Sequence, residues 1–156
     1  MRPSKDEYFL EMAKLVARRS TCLRRSVGAV AVNARGHVLS TGYNGVAAGV
    51  PHCNQEDPFD PVGYPHACSG AWAKSGSNLD GCQAIHAEQN MLLQCRDVWE
   101  IETVYCTASP CLTCVKLLMN TSCLRIVFAE EYPHLDAQKL WVSSRGLTNS
   151  WERLDA

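Results

Sequence analysis

The sequence lacks a charge excess of either sign: Lys and Arg total 15 and Asp and Glu total 16, a formal net charge of -1. A nucleic-acid-binding surface or a membrane-adhering surface usually needs a basic excess. No apolar run is long enough to span a bilayer, and the polar segment from Met1 to Phe9 carries no signal-peptide pattern. We therefore expect a cytoplasmic protein that binds neither nucleic acid nor membrane.

Internal repeats and low-complexity tracts are also absent, so nothing in the pattern divides the chain. The 156 residues are 46% hydrophobic, which is enough for one sizeable core. We expect residues 1–156 to form a single domain.

Cysteine, by contrast, is abundant. The chain has 9 cysteines, an odd number that would leave one outside a complete disulfide framework. In a reducing compartment, metal ligation or simple burial explains so many thiols better than disulfides do. Cys95, Cys106 and Cys123 lie in or beside apolar or helical segments, so they are predicted to be core residues.

Hydrophobic periodicity predicts strands that alternate with helices after an N-terminal hairpin, whose turn is Asn33 to Gly36. This order is typical of an α/β sandwich with a mixed, partly parallel sheet. The tail from Gly146 could add a last strand, and the proline-rich residues 46–81 are irregular. The predicted helices are Lys5 to Arg19, Ala84 to Arg96, Cys111 to Asn120 and Leu135 to Ser144, and the predicted strands are Val27 to Val32, His37 to Tyr43, Ile101 to Thr107 and Leu124 to Ala129.

The chemistry-bearing motifs are a His-x-Glu, His86 and Glu88, and a Pro-Cys-x-x-Cys that contains Cys111 and Cys114. One histidine and two cysteines supply three ligands to a tetrahedral zinc and leave the fourth position open, as in catalytic zinc sites. Glu88 is then the natural proton carrier for water at that open position. The combination matches the known signature of the zinc nucleobase deaminases.

Both ligand sets are predicted to lie at helix N-termini, where the positive end of the helix favours the thiolate form of Cys111 and Cys114. The main alternative is a structural zinc in a non-catalytic interaction module. Glu88 distinguishes the two, because a structural zinc has no use for a carboxylate that does not bind it.

A second, structural zinc is a further prediction from the remaining cysteines. Cys22, Cys53 and Cys82 each fall in a loop or at an element boundary, and either Cys68 or His66 could complete four ligands. A closed site of this kind would stabilise the long irregular loop.

With these motifs established, the chain resembles the deoxycytidylate (dCMP) deaminases of bacteria and phages, within the zinc-dependent cytidine deaminase superfamily. The resemblance covers residues from about 6 to 145. It rests on Glu7-Tyr8-Phe9, Arg19-Ser20-Thr21-Cys22, Val27-Gly28-Ala29, Gly42-Tyr43-Asn44-Gly45, His52-Cys53, Ile85-His86-Ala87-Glu88-Gln89-Asn90, Ser109-Pro110-Cys111-Leu112-Thr113-Cys114 and Glu131-Tyr132.

The resemblance implies a three-layer α/β/α sandwich with a five-stranded mixed sheet, the cytidine deaminase-like fold, assembled as a homohexamer. It implies the hydrolysis of dCMP to dUMP and ammonia, a reaction that feeds dTMP synthesis. It also implies activation by dCTP and inhibition by dTTP, with Mg²⁺ bound to the triphosphate effector. Another superfamily substrate, such as cytidine, guanine or tRNA adenosine, is the alternative within enzymes.

Residue roles follow from the same resemblance. His86, Cys111 and Cys114 would hold the catalytic zinc, and Glu88 would transfer protons. Asn44 would hold the deoxyribose, while Ala87 and Tyr132 would contact the nucleotide. Arg24, Arg25 and Ser26 lie where phosphate contacts are expected, with Arg25 favoured over Arg24 because a guanidinium fork suits a phosphate.

Overall fold

A computed structural model describes residues 1–22, 25–49, 84–132, 135–146 and 149–154. Four α-helices and seven β-strands lie within these ranges, together with a 3₁₀ turn at Val98–Glu100. The helices are α1 (Lys5–Ala17), α2 (Ala87–Gln94), α3 (Leu112–Met119) and α4 (Leu135–Arg145). The strands are β1 (Gly28–Val32), β2 (Val38–Tyr43), β3 (Gly45–Val46), β4 (Ala84–Ile85), β5 (Thr103–Ala108), β6 (Arg125–Glu130) and β7 (Trp151–Arg153).

Five strands form one mixed sheet in the order β2-β1-β5-β6-β7. The hairpin partners β1 and β2 are antiparallel, and β1 also pairs antiparallel with β5. The remaining neighbours, β5 with β6 and β6 with β7, are parallel because a helix connects each pair. The predicted mixed sheet is therefore confirmed, and the tail does supply its last strand.

Helix α1 covers one face of this sheet. Ser4 caps its N-terminus in a capping box with Glu7, whose backbone N–H donates to Ser4 Oγ over 3.1 Å. Its buried stripe of Phe9, Leu10 and Ala13 packs on strand residues that point to the same side of the sheet. Those strand residues are Val30, Val32, Tyr105 and Val127.

The opposite face carries α2, α3 and α4, which gives the predicted three-layer α/β/α sandwich. Alternate residues of β1, Ala29 and Ala31, turn to this side and join the larger core cluster. The helices add Ala87, Met91, Val115, Leu118, Ala137 and Trp141 to the same cluster. Cys106 and Cys123 are fully buried there, as predicted, and the half-buried Cys95 packs against its edge.

Two glycines let helix backbones lie directly on the sheet. A Cβ at Gly42 of β2 would overlap the Ala87 carbonyl oxygen and the Met91 amide nitrogen of α2. A Cβ at Gly28 of β1 would overlap the Ala13 carbonyl oxygen of α1 in the same way. Because no side chain separates these elements, the position of each helix is fixed by the strand beneath it.

Ion pairs and hydrogen bonds also hold helix α1 against the sheet. Arg125 of β6 donates two hydrogen bonds to the Asp6 carboxylate, over 2.9 and 2.7 Å, and pairs with Glu152 of β7. The Tyr105 hydroxyl of β5 donates to Asp6 Oδ1 over 2.7 Å. The guanidinium holds the pKa of Asp6 below its ordinary value despite partial burial. One network therefore joins α1 to three strands.

The start of the second helix was predicted wrongly. The pattern placed it at Ala84, but Ala84 and Ile85 form β4 and pair antiparallel with Val46 and Gly45. His86 has an extended backbone, with φ −65° and ψ 151°, so the helix begins only at Ala87. Tertiary pairing with a distant two-residue strand overrides the local helical pattern here.

Within the described ranges, every helix is too short or too polar to cross a membrane.

Candidate active site

Three metal-ligating side chains meet at the N-termini of two helices. His86 is the N-cap of α2, Cys111 is the N-cap of α3, and Cys114 lies in the first turn of α3. Their ligand atoms all lie within 4.8 Å of one another. His86 Nδ1 is 3.3 Å from Cys114 Sγ and 3.4 Å from Cys111 Sγ.

These distances fit a shared zinc ion. With zinc bonds of about 2.3 Å to sulfur and about 2.0 Å to nitrogen, tetrahedral geometry puts the two ligand atoms about 3.5 Å apart. A donor set of two sulfurs and one imidazole nitrogen suits zinc better than Mg²⁺ or Ca²⁺, which prefer oxygen. The three protein ligands leave one coordination position for water or substrate.

Hydrogen bonds among the three side chains shift their pKa values. The Cys114 side chain hydrogen-bonds to Cys111 and, with help from His86, lowers the pKa of Cys111 to about 4. The hydrogen bond with the Cys111 thiolate in turn raises the pKa of His86. The lowered pKa favours the thiolate form of Cys111, which is the form that binds a metal, whereas the hydrogen bond with Cys111 and burial raise the pKa of Cys114 above its ordinary value.

Glu88 lies beside this cluster on the first turn of α2 and is only 4% exposed. Burial raises its pKa above the ordinary value of a glutamate. A carboxyl group whose pKa moves toward neutrality can both accept and return a proton at physiological pH, which is the property that general acid–base catalysis needs.

Asn44 organises the loop next to the cluster. Its Oδ1 accepts from the Val27 backbone N–H over 2.8 Å, and its Nδ2 donates to the Arg25 carbonyl over 2.7 Å. Its own carbonyl accepts from the Thr21 backbone N–H and from the Ser20 hydroxyl. The two sequence motifs around Ser20 and Asn44 thus form one network that sets the path of residues 25–27.

The pairing of β3 with β4 then brings this network to the metal ligands. Gly45 pairs with Ile85, the residues directly after Asn44 and directly before His86. Asn90 of α2 reinforces the junction because its Nδ2 donates to the Tyr43 carbonyl over 2.8 Å. The predicted sugar-binding and zinc-binding residues are therefore neighbours.

Arg25 and Tyr132 form a stack at the edge of the site. The Arg25 guanidinium carbon lies 4.6 Å from the centre of the Tyr132 ring. Tyr132 is held in turn by Ser109, whose Oγ accepts from the Tyr132 backbone N–H over 2.6 Å. The buried Ser109 also donates its backbone N–H to the Glu130 carbonyl. Ser109, which directly precedes Pro110 and Cys111, links this stack to the metal ligands.

The other described residues that were predicted to belong to a site lie in three different environments. Ser26 is exposed and lines a cleft of about 440 Å³ together with Arg25. Ala87 is buried as the first residue of α2. Cys22 is half-buried beyond the end of α1, and its backbone N–H donates to Ser20 Oγ.

Five predicted residues lie outside the described ranges, so the second zinc site stays a prediction. They are Arg24, Cys53, His66, Cys68 and Cys82.

Sequence reasoning assigned no role to Ser109, Lys14 or Thr107. Ser109 carried a signal, since it belongs to the motif that contains Cys111. Lys14 carried none, because a lysine on an amphipathic helix is usually a solvated surface residue. Thr107 lines the cleft beside Arg25 because the sheet register turns its side chain toward α1.

Known proteins match both the sequence and the fold. The family model for the cytidine and deoxycytidylate deaminase zinc-binding region matches residues 3–130. Deoxycytidylate deaminase from Mycobacterium phage D29 is 40% identical over 134 residues, covering 83% of this chain and 98% of the phage protein. That from Schizosaccharomyces pombe is 39% identical over 133 residues, covering 84% of this chain but 38% of its own length.

The chain likewise spans only 39% of the deoxycytidylate deaminase from Saccharomyces cerevisiae, to which it is 39% identical. A crystal structure of dCMP deaminase from the cyanophage S-TIM5 in complex with dCMP and dUMP has the same fold, with a TM-score of 0.71, 23% identity and 99% of both chains covered. With its zinc-binding region matched from residue 3 to residue 130, the chain belongs to the zinc-dependent cytidine and deoxycytidylate deaminase family.

Proposed function

We propose that this protein hydrolyses dCMP to dUMP and ammonia at the cluster formed by His86, Cys111 and Cys114. The observation that carries the proposal is the buried Glu88 beside three zinc-type ligands. A carboxylate in that place serves a reaction that moves protons, whereas a structural zinc would not require it. Deoxycytidylate deaminase from phage D29, of which the chain covers 98%, supports the choice of substrate.

Zinc would be held by His86 Nδ1 and the two cysteine sulfurs, and when bound it supplies a water that is nucleophilic at neutral pH. Glu88 takes the proton that this water loses as its oxygen attacks the amino-bearing C4 of the cytosine ring. Glu88 delivers this proton to the ring nitrogen, then takes the second proton of the former water from the oxygen on C4 and delivers it to the departing amine. One water is consumed, the C4–N bond breaks, and ammonia and dUMP leave.

The remaining site residues would bind the rest of the nucleotide. Asn44 uses one of its two amide hydrogens on the Arg25 carbonyl, and the other can donate to a deoxyribose hydroxyl. Arg25 presents a guanidinium for the phosphate while its face stacks on Tyr132. Ser26 adds an exposed hydroxyl on the same side.

Some finer parts of the proposal derive from the family resemblance: activation by dCTP and inhibition by dTTP with Mg²⁺, and assembly as a homohexamer. Three others derive from the composition and residue pattern of the chain. They are a cytoplasmic location, one catalytic domain over residues 1–156, and a second, structural zinc at Cys22, Cys53, Cys82 and either Cys68 or His66. Metal analysis tests that site, because two zinc ions per chain are expected and one would contradict it.

A deamination assay across dCMP, CMP, deoxycytidine and dCTP tests the substrate. We expect the highest kcat/KM for dCMP, with ammonia and dUMP formed in equal amounts. Repeating the assay with added dCTP and dTTP tests the regulation. A preference for free cytidine, guanine or a tRNA adenosine would replace the substrate assignment, and zinc binding without turnover of any of them would favour the interaction-module alternative.

A further inference from the structure

Three segments of the chain meet at the hydroxyl of Ser20. Ser20 follows the last turn of α1, where its backbone N–H donates to the Ala17 carbonyl over 3.0 Å. Ala17 lies against Gly28 of β1, and the glycine leaves no side chain between helix and strand. The Ser20 hydroxyl therefore extends from a helix end that is fixed on the sheet, and it reaches residue 25 and residue 44 of two other segments.

The Ser20 hydroxyl has one hydrogen and two acceptors. Its Oγ lies 3.0 Å from the Asn44 carbonyl oxygen and 3.3 Å from the Arg25 carbonyl oxygen. A hydroxyl donates a single hydrogen, so the two carbonyls share it. The same Oγ accepts from the Cys22 backbone N–H over 3.2 Å, and this contact orients the hydroxyl toward the carbonyls.

These contacts set the separation between Asn44 and Arg25. Among the described residues, Ser20 is the only one whose side chain hydrogen-bonds to the backbone carbonyls of both. The direct link between the two residues, from Asn44 Nδ2 to the Arg25 carbonyl over 2.7 Å, passes through a side chain with its own torsions. One oxygen that holds both backbones adds a second constraint and so fixes the geometry.

We propose that Ser20 is a positioning residue for the nucleotide, because its hydroxyl holds Asn44 and Arg25 at the spacing that one bound nucleotide requires. The inference rests on the proposed function for the roles of Asn44 and Arg25, and Ser20 acts through them. Both residues are proposed to bind parts of dCMP that do not react. Loosening them therefore weakens substrate binding more than it slows the chemical step.

Ser20→Ala tests the inference, because it removes the hydroxyl and keeps the β-carbon. We expect KM for dCMP to rise about fivefold while kcat changes by less than about twofold. Ser20→Thr restores a hydroxyl and should recover the natural KM. An unchanged KM in Ser20→Ala, or a Ser20→Thr enzyme as impaired as Ser20→Ala, would overturn the role of the hydroxyl.

Ser122→Ala is the matched control. Ser122 is also half-buried, and its hydroxyl is likewise shared between two backbone carbonyls, those of Val98 at 3.1 Å and Ile101 at 2.6 Å. It precedes β6, whereas the metal ligands lie beyond the carboxyl end of β5. We expect a similar loss of unfolding free energy with KM unchanged. The same rise in KM in both alanine variants would assign the effect to general destabilisation and overturn the inference.

Amide hydrogen exchange of the zinc-loaded enzyme, followed by NMR, separates this inference from the proposed function. The reporters are the Val27 backbone N–H, which donates to Asn44 Oδ1 over 2.8 Å, and the Asn44 backbone N–H, which donates to the Val27 carbonyl over 3.2 Å. We expect both to exchange about fivefold faster in Ser20→Ala and at the natural rate in Ser122→Ala.

Faster exchange in Ser20→Ala, together with no turnover of dCMP by the natural protein, would support the positioning by Ser20 and reject the proposed reaction. Unchanged exchange in Ser20→Ala would reject the positioning, whatever the enzyme deaminates.

Discussion

Glu88 is buried at a cost that the fold must offset elsewhere. A carboxylate removed from water loses several kcal/mol of solvation unless a partner compensates it. Among the described residues, Glu88 is the only buried acidic side chain, and this burial is the main reason that its pKa is raised. Perturbed and buried carboxylates of this kind cluster at catalytic sites.

Glu88→Gln should retain the zinc and lose the reaction. Glutamine keeps the shape of the side chain and cannot accept the proton of water, so we expect kcat to fall by about 10²- to 10⁴-fold. Zinc content by atomic absorption should stay the same as in the natural protein, because His86, Cys111 and Cys114 are unchanged. Steady-state kinetics with dCMP measures the loss.

Glu100→Gln is the control for that substitution, since Glu100 is an exposed glutamate on the 3₁₀ turn. It should leave both zinc content and kcat unchanged. If Glu88→Gln turns over dCMP at the natural rate, Glu88 does not transfer the proton. If it loses zinc instead, the carboxylate supports the metal site structurally.

At the level of single residues, the sequence predicted the ligand cluster because His-x-Glu and Pro-Cys-x-x-Cys carry their chemistry in their spacing. The contacts of Arg25 were beyond such reasoning. Its stack on Tyr132 depends on a serine 23 residues before the tyrosine, whose hydroxyl fixes the tyrosine backbone. The spacing of nearby residues cannot predict this hydrogen bond, because Ser109 and Tyr132 follow two different strands.

Helix α2 carries His86 at its start and rests on Gly42 without an intervening side chain. Gly42→Ala should therefore move the helix and not only strain the core. Overpacking of this kind costs about 1–3 kcal/mol of unfolding free energy. We expect weaker zinc retention as well, measured by competition with a chelator, because a displaced α2 shifts His86 away from the two cysteines.

Gly28→Ala provides a matched strain on the other face of the sheet. Its added methyl group would meet the backbone of α1 at Ala13 and Ala17, and α1 carries no metal ligand. We expect a similar loss of unfolding free energy with zinc affinity retained. Equal zinc loss in both variants would mean that general destabilisation, rather than displacement of α2, weakens zinc binding.

The longer elements were predictable because their hydrophobic period extends over several turns or pleats. The short strands β3 and β4 were not, since each has two residues and no period. Their pairing is nevertheless what places Asn44 beside His86. The two strands that position the site are thus the ones whose sequences give the weakest indication of strand structure.

The network around Asp6 acts on the whole molecule, because it joins α1 to β5, β6 and β7. The pKa of Asp6 is lowered mainly by the hydrogen bond from Arg125, so the ionised form of Asp6 stabilises the folded state. That stabilisation is present above the unfolded pKa of about 3.9. It is lost as the pH falls through the lower pKa of the folded state.

Asp6→Asn should thus reduce the unfolding free energy at pH 7 by about 1–2 kcal/mol, allowing for solvent screening of a partly exposed pair. The difference from the natural protein should shrink as the pH falls below about 4. Urea denaturation at a series of pH values measures both effects. Glu11→Gln, which removes only an exposed helix pair, should change stability by less than about 0.5 kcal/mol at every pH.

A pH-independent difference for Asp6→Asn would show that the carboxylate contributes by shape and not by charge.

For the whole molecule, alternation of strands and helices predicted the α/β class, and the family resemblance predicted the five-stranded sheet. Which face each helix covers was not predictable, because both faces of a central strand such as β1 are equally apolar. The tie between Asp6 and Arg125 spans 119 residues and leaves no trace in local composition.

The backbone contact at Gly42 finally bears on the entropic cost of binding zinc at the proposed site. No side chain separates Gly42 from the backbone of α2. Rotamer changes therefore do not alter the spacing between this strand and the helix, and the backbone of His86 keeps its position. The ligand that is most distant in sequence from the two cysteines is thus preorganised before any ion arrives. Capture of zinc then needs the ordering of one imidazole rather than of a whole helix, and its entropic cost is correspondingly small.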